Sequence, residues 1–406
     1  MSKVIIAVVQ QMMRVHESPE AYQADVQRFM RQVKSKNAAL VVFPELSGLM
    51  LAYPLISGVK RGLLKRADKR SARRASPLSR VLGRMAGTTA GALGGGMRGS
   101  LVRLLKKRHG ELFDAYMTFF AELAAEYNMY VVGGSTYLYD EEVDEVRNAS
   151  YLFDPRGEVV GYQEKLVLTQ QEEELCSPGD QLKVLPTDLG RLGIVIGSDV
   201  LYPEPSRALA VQGADLLVTP AACPGPVLYR QVRRAFHTRV QENQLYGAIS
   251  FLVGPNNLGT GQYAGRSAVL APMELTSRYS GVFQEVGAAN VESFVASECD
   301  PDALQQLWET ADPPLRHRLP SASRSALVDF YATGGTVSLA YQSLEEPPQE
   351  VLPALPVEIT VPDEPVEDLP VEREEVLTHV PTSMPETDEA EEELSGTTEE
   401  WPFESD

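Results

Sequence analysis

The stretch LGIVIGSDVLYPE, residues 192–204, joins an apolar run to a turn and then to the start of a helix. Ile194, Val195 and Ile196 form a run of strand type, and Pro203 followed by Glu204 is typical of a first helical turn. Enzymes often place a nucleophile where such a strand ends, because the turn holds one side chain in a pocket. The residue on this turn is Gly197, which has no side chain. The stretch predicts an α/β fold and raises the question whether the strand is catalytic.

The same alternation of strands and helices continues on both sides of this stretch, up to about residue 310. Apolar runs of strand type occur at residues 4–9, 39–45, 129–135, 149–154, 158–163, 215–220 and 247–254. Apolar side chains with helical spacing occur at residues 21–33, 111–127 and 230–244, and a further helix is expected after Glu204. This alternation predicts an α/β protein whose sheet faces are covered.

Charge divides the chain into a body and an acidic tail. The formal net charge is −19, but residues 343–406 contain 21 Asp and Glu against one basic residue, Arg373. This Pro- and Glu-rich segment cannot bury enough apolar surface to offset its conformational entropy. We therefore expect one folded domain over residues 1–327 and a disordered acidic tail over residues 328–406.

A basic insert interrupts the folded domain at about residues 58–109. It contains 15 Lys and Arg and a single acidic residue, Asp68. A solvated loop is the default interpretation of such a segment. The alternative is a basic amphipathic helix that contacts an anionic membrane surface. The absence of aromatic residues between Arg61 and Leu112 argues against nucleic-acid binding.

The cysteines and histidines favour a reduced compartment and no metal site. Cys176, Cys223 and Cys299 form no disulfide framework and fit no metal motif, and the five histidines are scattered. No uncharged run reaches the length of a membrane span, and the N-terminal apolar run is too short for a signal peptide. We expect a cytoplasmic protein, with peripheral membrane association through the insert as the alternative, and neither metal nor cofactor.

Four segments, taken in order, resemble the motifs of the nitrilase superfamily of carbon–nitrogen hydrolases. VVFPELSG (41–48) is similar to the motif of the general base and GYQEKLVL (161–168) to that of the catalytic lysine. EEELCSPGD (172–180) resembles the segment of an accessory glutamate, and IGSDVLYPE (196–204) resembles the nucleophile motif. The later segments TRVQENQLYGA and AGRSAVLAP also resemble family segments. The resemblance covers roughly residues 3–325, except the insert.

The resemblance implies a four-layer α-β-β-α sandwich, at least a homodimer, and a small amide-like ligand. It places Glu45 as general base, Lys165 as the stabiliser of the tetrahedral intermediate, and Glu172 as the accessory carboxylate. An amide or nitrile carbon is a poor electrophile, so its attack needs a thiolate beside a base and donors for the oxyanion. The family has its nucleophilic cysteine where this chain has Gly197.

The missing thiol leaves three interpretations open. The first is a catalytically degenerate protein, a pseudoenzyme, that binds a small amide or carboxylate or acts as a regulated scaffold. The second is an active amidase- or nitrilase-type hydrolase with a replacement nucleophile, Ser198 or Cys223. Ser198 is displaced by one residue, which points its side chain elsewhere, and Cys223 is otherwise a small buried hydrophobe. The third is a membrane-peripheral adaptor that acts through the insert.

The remaining motif residues have both functional and structural interpretations. Asp199, Tyr202 and Cys223 are candidate substrate contacts, but Asp199 could instead cap the helix that begins near Pro203. Lys165 lies in an apolar stretch where an unpaired ammonium is costly, so we expect Glu45 within salt-bridge distance of it.

Overall fold

The computed structural model describes residues 3–14, 16–51, 102–256 and 261–316. Within them lie fourteen strands and five helices of nine residues or more. The strands are β1 (Val4–Met12), β2 (Leu40–Val42), β3 (Tyr130–Val132), β4 (Thr136–Asp140), β5 (Glu145–Phe153), β6 (Val159–Glu164), β7 (Val184–Thr187), β8 (Gly190–Ile194), β9 (Leu216–Ala222), β10 (Tyr246–Pro255), β11 (Gln262–Tyr263), β12 (Ala268–Leu270), β13 (Val282–Glu285) and β14 (Ser293–Cys299). The helices are α1 (Pro19–Ser35), α2 (His109–Tyr127), α3 (Pro203–Val211), α4 (Pro226–Asn243) and α5 (Pro301–Thr310).

The strands form two sheets with parallel centres and antiparallel edges. In the first sheet β1, β2 and β3 are parallel, β14 is antiparallel to β1, and β4, β5 and β6 form the other edge. In the second sheet β8, β9 and β10 are parallel, with β7 at one edge and β12 and β13 at the other. The sheets join where Gln11 and Met12 of β1 pair with Leu252 and Val253 of β10.

Three hydrophobic clusters show how the layers pack. One lies between the sheets and joins Ile6 and Val42 of the first sheet to Ile194 of the second. A second packs α1 and α2 on the outer face of the first sheet, and a third packs α3 and α4 on the outer face of the second. Inward and outward side chains alternate along each strand, so each sheet buries both faces. The predicted α-β-β-α sandwich is therefore confirmed.

The opening stretch differs in detail from the sequence prediction. Strand β8 ends at Ile194, and residues Gly197–Leu201 form a 3₁₀ turn before α3 begins at Pro203. The predicted strand therefore extends two residues too far. The hydrogen-bond ladder between β8 and β9 does not extend to Ile196, because the N–H of Ile196 donates to the Asp199 carboxylate, at 2.9 Å, and not to a neighbouring strand.

The two charged segments fall mainly outside the described residues. Of the insert at 58–109, only residues 102–109 are described, and residues 102–107 are helical. The tail at 328–406 lies wholly outside them. Among the helices that the structure describes, none is long and apolar enough to cross a membrane.

Candidate active site

The motif residues converge at the carboxyl ends of the parallel strands. Glu45 follows β2, Gly197 follows β8, and Ala222 ends β9. Lys165 directly follows β6, whose antiparallel pairing with β5 brings it to the same end. Side chains that follow the carboxyl ends of parallel strands meet at one edge of a sheet, which is where α/β proteins usually bind ligands.

Lys165 lies between two carboxylates. Its Nζ is 2.8 Å from Glu45 Oε1 and 2.5 Å from Glu172 Oε1, and the exposed fractions of the Lys165, Glu45 and Glu172 side chains are 3%, 2% and 13%. Burial opposes the charged ammonium, but the two carboxylates outweigh it and raise the pKa of Lys165 above its ordinary value. Lys165 is therefore protonated at neutral pH and cannot act as a base.

Glu45 has three different hydrogen-bond donors. Oε1 accepts from Lys165 and from Asn148 Nδ2, at 2.9 Å, and Oε2 accepts from the backbone N–H of Ala222, at 2.8 Å. Burial raises the pKa of Glu45, and the nearby Glu172 carboxylate adds to this effect. One ammonium cannot neutralise two carboxylates, so the cluster carries an excess of one negative charge when both are ionised.

The pKa of Glu172 is shifted in the opposite direction, below its ordinary value. Burial acts to raise its pKa, but Lys165 and the N–H and hydroxyl of Thr169 outweigh burial and lower it. Glu172 is therefore the more firmly ionised of the two carboxylates.

Gly197 faces the Glu45–Lys165 pair. A Cβ added at this position would lie 2.5 Å from Glu45 Oε2 and 3.3 Å from Lys165 Nζ. The φ angle of Gly197 is +50°, a left-handed conformation that favours glycine. Any side chain here would point at both groups, and Glu45 would have to move to admit it.

Ser198 and Asp199 face the loop after Lys165 instead. The Ser198 hydroxyl donates to the carbonyl of Val167 at 2.6 Å. Asp199 Oδ1 accepts from the N–H groups of Leu166 and Val167, at 3.0 and 2.7 Å, and its Oδ2 accepts from Ile196. Burial raises the pKa of Asp199 to about 7, although these hydrogen bonds act to lower it.

These bonds give Asp199 a structural role. It fastens the loop after Lys165 to the turn at Gly197, and both of its oxygens are occupied. The alternative expectation, that Asp199 caps the helix beginning near Pro203, is wrong. The N-cap residue of α3 is Tyr202, and no described side chain caps that helix.

Tyr202 and Cys223 have contrasting positions. Tyr202 is 53% exposed, so the structure does not bring it into the cluster as a substrate contact. Cys223 is 1% exposed and follows Ala222, next to Glu45. Burial raises the pKa of the Cys223 thiol well above its ordinary value, and the Glu45 carboxylate adds to this rise. Cys176 is also buried, with a thiol pKa raised to about 12 by burial.

Two partners of Glu45 are not predicted from the sequence: Asn148 and the N–H of Ala222. Asn148 lies on β5, within a run of strand type. Nothing near it in sequence links it to Glu45, which is 103 positions away. Its Oδ1 is buried and has no hydrogen-bond partner among the described residues. Within the same part of the chain, no three His, Cys, Asp or Glu side chains are arranged to hold a metal ion.

Known proteins share both sequence and fold with this chain. It is 33% identical over 209 residues to a probable hydrolase of Bacillus subtilis, covering 50% of this chain and 40% of that protein. It is 30% identical over 181 residues to a nitrilase of Pyrococcus abyssi, covering 44% of this chain and 65% of that one. An omega-amidase of Saccharomyces cerevisiae is 26% identical over 200 residues, with coverages of 46% and 64%. The matches thus span less than two thirds of these relatives.

Solved structures support the fold. A carbon–nitrogen hydrolase from Helicobacter pylori superposes with a TM-score of 0.57 at 19% identity, over 82% of this chain and 97% of that one. Nit3 of Saccharomyces cerevisiae, a member of the nitrilase superfamily, gives 0.51 at 19% identity, over 76% and 93%. The family model described as carbon-nitrogen hydrolase matches residues 5–274. Because that match covers more than half of the sequence, the chain belongs to the carbon–nitrogen hydrolase family.

Proposed function

We propose that this protein binds a small amide at the Glu45–Lys165 cluster and does not hydrolyse it. Position 197 carries this proposal, because it faces both groups and has no side chain. A Cβ added at position 197 would lie 2.5 Å from Glu45 Oε2. The resemblance places the attacking cysteine there, so the remaining groups lack the atom that forms the covalent intermediate.

The replacement nucleophiles are poorly placed or poorly activated. The Ser198 hydroxyl donates to Val167 and therefore not to Glu45. A thiol reacts as its thiolate, and burial beside the Glu45 and Glu172 carboxylates disfavours that anion at Cys223. Glu45 itself already accepts from three donors, which weakens it as a base for water. These contacts favour the degenerate interpretation over the active hydrolase.

The charges of the cluster favour an amide over a carboxylate as the ligand. When both carboxylates are ionised, they outnumber the one ammonium, and this negative excess repels an anionic ligand. The Oδ1 atom of Asn148, which has no partner among the described residues, is a buried acceptor beside Glu45. An amide N–H complements an acceptor, whereas an ionised carboxylate has only acceptors. Relatives named as a nitrilase and an omega-amidase make a carbon–nitrogen compound the natural ligand class.

Two assays on the full chain test this proposal. Propionamide and propionitrile should show no detectable turnover, because loss of a covalent nucleophile leaves at most about 10³–10⁴-fold acceleration over a very slow reaction in water. Calorimetry should show saturable binding of propionamide and none of propionate, which has the same shape and a negative charge. Turnover at about 1 s⁻¹ or faster, within the ordinary enzyme range, contradicts the proposal. Loss of that turnover in Ser198→Ala or Cys223→Ala would then identify the nucleophile.

A membrane-peripheral adaptor role depends on the insert at 58–109, of which only residues 102–109 are described. A regulated scaffold is the other role expected from the sequence. Both stay predictions, as do the homodimer and the cytoplasmic location.

A further inference from the structure

Tyr137 is a buried side chain beside the Glu45–Lys165 cluster, and no motif of the sequence includes it. It lies on β4 and is paired with Asn148 of β5 in the antiparallel register. Residues directly opposite each other in an antiparallel pair carry their side chains on the same face, with Cβ atoms about 4.5–5.5 Å apart. Asn148 Nδ2 donates to Glu45 Oε1 at 2.9 Å. Tyr137 therefore leaves the sheet on the face where Asn148 holds Glu45.

The segment that carries Glu172 packs against the same part of β5. The N–H of Ser177 donates to the carbonyl of Val146 at 2.8 Å, which holds the preceding residues 172–176 next to this strand. One hydrophobic cluster contains Tyr137, Val146, Cys176 and Tyr263. Tyr137 thus adjoins the charged cluster on its Glu172 side as well as on its Glu45 side.

The hydroxyl of Tyr137 is a hydrogen-bonding group without a protein partner. The residue is 4% exposed, and its hydroxyl makes no hydrogen bond with any described residue. The hydroxyl oxygen is nevertheless not among the fully buried atoms that lack a partner, so it borders space that a small molecule can enter. Other buried tyrosines are paired: the Tyr22 hydroxyl donates to the carbonyl of Ser47, and the Tyr116 hydroxyl accepts from the N–H of Tyr151. The unpaired hydroxyl at Tyr137 is therefore available to a ligand.

The surroundings of Tyr137 keep this hydroxyl neutral. Burial raises the pKa of Tyr137 well above its ordinary value, and Glu172, Cys176 and Glu45 add to the rise. The hydroxyl therefore keeps its proton at physiological pH and can donate it in a hydrogen bond without adding a charge. A neutral donor beside a negative excess suits a neutral acceptor, such as a carbonyl oxygen.

An amide bound at the cluster presents groups of both kinds. Ionised Glu45 and Glu172 can only accept hydrogen bonds, so they suit the amide N–H groups. The carbonyl oxygen has two lone pairs and needs donors. Asn148 Nδ2 already donates to Glu45, and two of the three hydrogens of Lys165 go to Glu45 and Glu172. One Lys165 hydrogen is left for the two lone pairs, so a second donor is wanted.

We propose that the Tyr137 hydroxyl supplies this second donor and hydrogen-bonds the carbonyl oxygen of the bound amide. Tyr137 is then a specificity-determining residue, which favours ligands with a strong neutral acceptor. This inference rests on the proposed function, since it concerns the same bound amide.

Tyr137→Phe in the full chain removes the hydroxyl and keeps the ring. Calorimetry should show about fivefold weaker binding of propionamide, the size expected for one neutral hydrogen bond. The free energy of unfolding should stay unchanged, because the hydroxyl has no partner in the described part of the protein. Thiopropionamide has sulfur, a weak acceptor, in place of the carbonyl oxygen. The wild type should bind it more weakly than propionamide, and Tyr137→Phe should change that affinity less than twofold.

Tyr139→Phe is the matched control. Tyr139 lies two residues further along β4, and its hydroxyl donates to Asp144 Oδ1 at 2.6 Å near the surface. This variant should bind propionamide as the wild type does. Equal affinity of the wild type and Tyr137→Phe for propionamide would overturn the inference and leave the proposed function standing.

Two further outcomes also count against Tyr137 alone. Equal losses for propionamide and thiopropionamide would show that the hydroxyl does not bind the carbonyl oxygen. A lower free energy of unfolding in Tyr137→Phe would show that the hydroxyl serves the fold. No binding of propionamide by the wild type would instead overturn the proposed function, and this inference with it.

Discussion

The two ends of the parallel strands carry opposite excesses of charge. At the carboxyl end, Glu45 and Glu172 share the single ammonium of Lys165. At the amino end, the guanidinium of Arg316 lies 3.7 Å from the carboxylate of Asp215, and the charges of Arg191 and Arg207 act on Arg316. The charges at the carboxyl end are buried or half-buried, whereas Arg191 at the amino end is exposed, so solvent screens the amino-end charges more strongly.

The ends differ in how their charged groups are connected. Each oxygen of Glu45 accepts at least one hydrogen bond, so the carboxyl end is a connected polar network. Each end leaves one buried polar atom without a partner in the described part of the chain, Asn148 Oδ1 at the carboxyl end and Arg316 Nη1 at the amino end. The carboxyl-end network is held together by Lys165, because removing this ammonium leaves two buried carboxylates without their cation.

Lys165→Met should destabilise the protein most. The substitution keeps most of the side-chain volume but leaves Glu45 and Glu172 buried without their cation, which typically costs about 3–5 kcal/mol. Urea unfolding would measure the loss. Lys106→Met removes the cation of an exposed pair with Asp144 and should cost only a small fraction as much. Similar losses in the two variants would mean that the Lys165 cluster is not a buried network.

Asp199→Ala should have the next largest effect, a loss of about 3 kcal/mol in the free energy of unfolding, because it leaves one buried and two part-buried backbone N–H groups without an acceptor. Asp300→Ala is the matched control. Asp300 caps α5 by accepting from two N–H groups near the surface, and its loss should cost about 1 kcal/mol. A loss at Asp199 no larger than that at Asp300 would contradict the fastening role of Asp199.

Gly197→Ala and Gly197→Cys should both cost about 1–2 kcal/mol, because either side chain is strained at a φ of +50°. Only Gly197→Cys should gain a thiol that iodoacetamide alkylates within minutes at pH 8, as mass spectrometry would show. The native thiols of Cys176, Cys223 and Cys299 are buried and give a low background. A variant that folds but is not alkylated would show that position 197 does not face an activating base.

The change in the free energy of unfolding with pH should be the smallest of these effects. The folded state binds a proton at Asp199 more tightly than the unfolded state, because burial raises the pKa of this group from 3.8 to about 7. Asp199 therefore contributes most to the free energy of unfolding below pH 3.8, and this contribution is lost as the pH rises through about 7. Between pH 6 and pH 7 the free energy of unfolding should fall by about 1 kcal/mol from this group.

The difference between the wild type and Asp199→Asn isolates this contribution from other titrating groups. Urea unfolding at several pH values would measure both slopes. Identical slopes in the two proteins would show that Asp199 stays ionised throughout, held by its three N–H donors.

Several features of the site follow from local sequence and were predictable. The order of the Glu45, Lys165 and Gly197 segments indicated the family, and the expected proximity of Glu45 and Lys165 followed from the cost of an unpaired buried ammonium. The roles of Asp199 and Tyr202 were less predictable. Both belong to the same motif, but whether a side chain in a 3₁₀ turn points inward or outward depends on the packing around it.

The sequence by itself determined the alternation of strands and helices and the absence of a nucleophile at Gly197. Both are local, since hydrophobic period and residue identity need no partner. Only the tertiary structure decided that Asn148 and Ala222, 103 and 177 residues from Glu45, hold its carboxylate. It alone also brought Arg316 beside Asp215, 101 residues away, at the far end of the strands. Such contacts depend on strand register and on how the sheets and helices pack, and neither is encoded within any one segment.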